Sequence, residues 1–134
     1  MLPLDDPLPW LVVDRRAVRV TAAHDETWLR VIDAEEALAA RAYAGDDAVT
    51  IAVNDPLLPS NSASFTIAAD GAEPTDRRAQ LHTDIEGLGA VLLGGTTWHS
   101  LVLAGVARAA DPSALAAADR LFAVPGAPHA GFFF

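Results

Sequence analysis

Between Ala48 and Asp84 hydrophobic residues return at every second position in three runs, each parted from the next by a turn carrying proline or glycine. AVTIAV (48–53) puts Val49, Ile51 and Val53 on one face. SASFTIAAD (62–70) does the same with Phe65, Ile67 and Ala69, and RRAQLHTDI (77–85) with Ala79, Leu81 and Thr83. A period of two is what a half-buried strand requires. The links NDPLLPSNS and GAEPTD are too short for helical crossovers, which predicts antiparallel neighbours. Upstream, AVRVTAAHDETWLRVI alternates on both sides of the polar turn His24-Asp25-Glu26, predicting a hairpin of two further strands.

From Asp84 onward the period becomes helical. Asp84 can cap IEGLGAVLLGG, with Ile85, Leu88 and Leu92 aligned and Gly94-Gly95 as the stop. Thr97 caps a second short helix that Gly105 ends. Asp111-Pro112 is a cap followed by proline at the first helical position, and Leu115, Ala118 and Phe122 form the stripe of the helix it opens. One helix precedes the strands: in DAEEALAARAYAG, Asp33 and Glu36 have the capping-box spacing, Leu38 and Ala42 share a face, and Gly45 follows the last turn. Before it, LPLDDPLPWLVVDRR reads as a linker running into a short helix near residues 8–14. Strands and helices that segregate along the chain predict an α+β fold, an antiparallel sheet of about five strands covered on one face by helices. Residues 1–14 are expected to be the linker and its helix, and 15–134 a single domain.

Composition removes several functions. The net charge of −9 argues against a nucleic-acid surface, because phosphate contacts need basic residues, and disfavours an anionic membrane. It suits solubility and a cationic small molecule. The absence of cysteine excludes disulfides, thiolate metal sites and cysteine nucleophiles. No apolar run approaches a membrane span, and MLPLDDPLPW lacks the basic start of a signal peptide, so a cytoplasmic location is expected.

Few constellations remain. His24, His82, His99 and His129 lack the spacing with which one helical face presents two metal ligands. No G-x-S-x-G elbow supports a serine triad. LGGTTWHS has glycines but no lysine and joins two helices, so it reads as a loop and not a phosphate cradle. The adjacent carboxylates Asp5-Asp6, Glu35-Glu36 and Asp46-Asp47 do not converge as a glycosidase pair would. The sequence closes on GAPHAGFFF. Packing is the plainer role for such a tail. An α-carboxylate in an apolar surround would also have its charged form disfavoured and its pKa raised toward that of a general base.

The runs DDPLPWLVVDRRAVRVT, WLRVIDAEEALAARAY and IEGLGAVLLGGTTWHSLVLAG, with phenylalanine at the end, together resemble the Eis-type (enhanced intracellular survival) N-acetyltransferases of actinobacteria. The resemblance covers nearly all of this sequence but only the C-terminal part of the family's protein. It implies a sterol carrier protein-like fold, preceded in the parent by two acetyltransferase-type domains that acetylate aminoglycoside or lysine amines with acetyl-CoA as cosubstrate. It further implies that the Phe134 carboxylate is the general base, that Phe133 lines the amine pocket, and that a tyrosine of the parent's acetyltransferase domain is the acid. Those acetyltransferase domains are the implied partners, with a homo-oligomer. The sequence itself holds no R-x-x-G-x-G/A pyrophosphate loop, and its one tyrosine, Tyr43, sits at a helix end where core packing is expected. No cofactor is therefore expected on this chain, nor turnover by it alone. The alternative is a sterol or lipid carrier-type domain, with Leu88, Leu92, Leu101, Leu103 and the apolar strand faces lining a cavity.

Overall fold

The computed structural model describes residues 2–24 and 27–130. It begins with α1 (Leu8–Leu11), a 3₁₀ turn (Arg15–Ala17) and α2 (Ala34–Ala39). There follow β1 (Ala48–Asn54), a second 3₁₀ turn (Pro59–Asn61), β2 (Ala63–Ala68), β3 (Gly71–Pro74) and β4 (Leu81–Asp84). The chain continues through α3 (Ile85–Leu92), α4 (Trp98–Leu103), β5 (Ala107–Ala109) and α5 (Pro112–Leu121). One sheet holds the strands in the order β3-β2-β1-β4-β5.

The caps lie where the sequence puts them. Asp33 accepts the Glu36 amide at 2.9 Å, Asp84 that of Gly87 at 2.8 Å, and Thr97 that of Ser100 at 3.0 Å. Asp111 accepts from Ser113 and Ala114 at 2.8 and 2.9 Å, with Pro112 in the first turn. Each satisfies amides that the helix leaves without partners.

The sheet is mixed, which corrects the expectation of purely antiparallel pairing. β1 pairs with β2 antiparallel but with β4 parallel, Ile51 opposite Leu81 and Val53 opposite Thr83. No helical crossover is needed. The β2–β3 hairpin lies on one side of β1, and residues 75–80 return from β3 across β2 and β1. That is three strand spacings, about 14 Å, which six extended residues can cover. Gln80 anchors the arrival: its amide donates to Thr50 O at 2.8 Å and its side-chain oxygen accepts the Thr50 amide at 3.1 Å.

Two expected strands do not form. Residues 18–24 and 27–31 hold no strand, and Asp25 and Glu26 of the expected turn lie outside the described residues. Val20, Trp28 and Leu29 are exposed and only Val31 reaches the core, and an isolated two-stranded ribbon is marginal. The sheet instead completes itself at its edges with β3, read from sequence as a turn, and β5, read as part of a helical region. The leading helix and α2 are also shorter than expected, ending at Leu11 and Ala39.

The core lies between one face of the sheet and the helices. Val49, Ile51, Val53, Phe65, Ile67 and Leu81 meet Leu38, Leu88, Val91, Ala118 and Leu121, all nearly solvent-free. Trp98 fills the centre at 0% exposure, its ring edge-on to Phe122 with centroids 5.3 Å apart. Of the leucines proposed to line a cavity, Leu88 and Leu101 belong to this packed cluster and Leu92 packs against it, while Leu103 faces solvent.

Candidate functional site

Phe132, Phe133 and Phe134, which carry the expected site, lie outside the described residues. The structure describes the segment that delivers them, from the end of α5 to Ala130. Its starting point is held by Arg41. The guanidinium donates through Nη2 to Phe122 O at 2.6 Å and through Nε to Leu92 O at 2.8 Å, so one side chain satisfies carbonyls at the ends of both α5 and α3. Its face lies over the rings of Phe122 and Tyr43, at 4.6 and 5.3 Å. Burial pushes the Arg41 pKa below its ordinary value, with the electrostatics of Tyr43 acting the other way. Burial pushes the Tyr43 phenol up to about 12, opposed by Arg41, so it stays neutral and donates to Leu38 O at 2.7 Å. Tyr43 packs edge-on against Phe122, the packing role expected from its place in the sequence.

Beyond Phe122 the chain doubles back over the turn after α3. Val124 lies on Gly94, which has φ +78°, and Pro128 lies on Gly95. The Ala127 amide donates to Asp5 Oδ2 at 2.7 Å. The neighbouring Asp6 carboxylate accepts the Leu8 amide at 2.8 Å, so the two carboxylates serve different backbone amides. The glycine loop thus stops a helix, as the sequence predicts, and also offers the tail a surface without side chains.

An open cleft of about 450 Å³ borders the tail, walled by Leu2, Leu4, His24, Thr27, Leu93 and His129. Two of the four histidines therefore face one space. Among the described residues no three metal-binding side chains converge. A second open groove, about 470 Å³, lies at the carboxyl ends of β1 and β4 between Asn54, His82, Asp84 and Arg108. His82 points outward from its strand, as alternation predicts.

A buried polar node carries no signal in the sequence pattern. Asp55 is 1% exposed and receives both contacts of Arg30 Nη2, at 2.7 and 2.8 Å. It also accepts from Asn61 Nδ2 and from the amides of Leu57 and Leu58. Burial pushes this carboxyl up, but the Arg30, Asn61 and backbone hydrogen bonds outweigh that and hold it well below the usual carboxylate range. Asn61 in turn accepts the Ala34 amide and donates to Ile32 O. The node ties residues 30–34 to the β1–β2 connection.

Outside this node the N-terminal segment presents apolar side chains to solvent. Trp10 is 70% and Trp28 88% exposed, and Leu11, Val13, Val20 and Ile32 are also open. Arg15 stacks over Trp10 at 3.5 Å. No helix among the described residues is long and apolar enough to cross a membrane.

Residues 34–131 match the sterol carrier protein domain family. An uncharacterized N-acetyltransferase of Streptomyces avermitilis is 37% identical over 127 residues, which is 92% of this chain and 30% of that protein. N-acetyltransferase Eis of Mycobacterium tuberculosis is 34% identical over 125 residues, 88% of this chain and 30% of that protein. The crystal structure of Eis1 from Mycobacterium abscessus superposes with a TM-score of 0.92 at 48% identity, covering 98% of this chain and 34% of that one. The chain thus spans about 30% of the length of the curated relatives it matches. It belongs to the sterol carrier protein domain family, in the form that Eis-type N-acetyltransferases contain.

Proposed function

We propose that this chain is the C-terminal domain of an acetyl-CoA-dependent N-acetyltransferase acting on aminoglycoside or lysine amines in the cytoplasm, and that it closes the amine pocket of that enzyme. The Phe134 α-carboxylate takes the proton from the substrate ammonium. The freed amine attacks the thioester carbonyl, the carbon–sulfur bond breaks, and a tyrosine of the acetyltransferase domain protonates the leaving thiolate. Phe133 lines the amine pocket and keeps the carboxylate in an apolar surround, where its charged form is disfavoured and its basicity rises. Acetyl-CoA binds to the partner domains, and the chain alone does not turn over.

The observation that carries this reading is one of extent: relatives named N-acetyltransferases match nearly all of this chain and continue far beyond it. The exposed Trp10, Leu11, Val13, Val20 and Trp28 add physical support, because so many large apolar side chains left open to water in residues 10–28 are suited to burial against another domain or subunit. The same surface accommodates homo-oligomer assembly.

Adding one residue after Phe134 in the full-length enzyme displaces the carboxylate by roughly 3.5 Å. Acetylation is expected to collapse while acetyl-CoA binding persists. Undiminished acetylation would sink the assignment of the base.

A further inference from the structure

We infer that Asp5 and the Gly94–Gly95 turn are positioning residues that set the direction in which the chain leaves Ala127 toward Phe134, an inference that rests on the reading of the Phe134 carboxylate as general base.

Three contacts converge on a short stretch of tail. Asp5 Oδ2 accepts the Ala127 amide at 2.7 Å, from a residue 122 positions away. A charged acceptor on a backbone amide is among the stronger kinds of hydrogen bond and fixes the peptide plane as well as the position. A Cβ placed on Gly95 would stand 2.9 Å from Cγ and 3.1 Å from Cδ of Pro128, so the ring lies directly on the glycine backbone. A Cβ on Gly94 would stand 2.5 Å from Val124 Cγ2. The tail is therefore pinned from the N-terminal side by an acceptor and seated on the α3–α4 turn by two bare backbone positions. Proline at 128 has a fixed φ, so once its ring is seated the exit direction is restricted too. Three residues lie between Ala130 and Phe134, and the four steps reach at most about 14 Å. A shift of the chain at Ala127 moves the point from which the last residues set out, and misplacement of a reacting group by about 1 Å can cost about 100-fold in rate. Asp5 touches no reacting atom in this account and acts only through the tail.

The test uses Asp5→Ala, Asp5→Asn and Gly95→Ala, in this chain and in the full-length acetyltransferase carrying it. In the chain, Asp5→Ala should speed hydrogen exchange at the Ala127 amide by roughly fivefold and leave the core amides unchanged. In the enzyme, Asp5→Ala and Gly95→Ala should lower kcat by roughly 10- to 100-fold with the KM for acetyl-CoA unchanged. Asp5→Asn keeps an acceptor oxygen at the same reach and should restore kcat. Unchanged exchange at Ala127, or an unchanged kcat in an enzyme that the one-residue extension inactivates, overturns the clamp and leaves the base assignment standing. An extended enzyme of full activity overturns the base assignment, and with it the catalytic purpose of the clamp, whatever exchange shows.

Discussion

Arg30 Nη2 reaches both carboxylate oxygens of Asp55, at 2.7 and 2.8 Å, across 25 residues of sequence. The Asp55 side chain is sealed from water while that of Arg30 remains 35% exposed. This pair joins the irregular segment after residue 27 to the sheet. Removing one partner from such a node leaves the other without compensation, which costs more than the pair contributes net. Asp55→Ala should lower the thermal midpoint by roughly 10 °C. Asp47→Ala, which breaks the exposed pair with Arg120 Nε at 2.6 Å, should shift it by no more than about 2 °C. Calorimetry of the two variants checks the contrast.

Acid should unfold the protein partly through the same carboxyl. Asp55 titrates in the folded state below its unfolded value of about 3.9. The unfolded chain therefore binds the extra proton in the window between the two. The stabilisation is fully present above the unfolded value and is lost as pH falls through the folded one. Asp111 adds to the same limb, held low by its hydrogen bonds with Ser113 and Ala114. Denaturant unfolding below pH 4 should show a shallower loss of stability in Asp55→Asn than in the wild type.

Arg41 bonds the last carbonyls of two helices, and a lysine cannot reproduce that fork. Arg41→Lys should destabilise by about 2 kcal/mol in urea unfolding. Tyr43→Phe, which loses only the donor to Leu38 O, should cost about 1 kcal/mol.

Gly94→Ala places a side chain at φ +78° and against Val124, and should cost about 2 kcal/mol or more. Val124→Ala in the same chain removes the clash but not the backbone strain. The double variant should be more stable than the sum of the single effects, read from a double-mutant cycle.

What the sequence revealed was local. Caps at Asp33, Asp84, Thr97 and Asp111 act within three residues, and the alternation of β1, β2 and β4 is written in consecutive positions. What it hid depends on partners. β3 is four residues opened by Gly71 and closed by Pro74, and β5 is three residues, so neither carries a readable pattern. Residues 18–31 carry a strand pattern, but the described residues supply no neighbour for it. The parallel β1–β4 pair follows from where the β2–β3 hairpin swings, which no single window encodes. The same distinction holds for the site. The sequence and its resemblance point to Phe133 and Phe134. The contacts that hold residues 122–128 come from Asp5, Arg41 and the Gly94–Gly95 turn, remote from them along the chain.

The central claim is that the Phe134 carboxylate removes a proton from the substrate amine. Semisynthesis of the full-length enzyme with an amide in place of that carboxylate removes the base without lengthening the chain. The account predicts a kcat lowered by at least about 100-fold with acetyl-CoA affinity unchanged. An amidated enzyme that acetylates amines at the wild-type rate would contradict it.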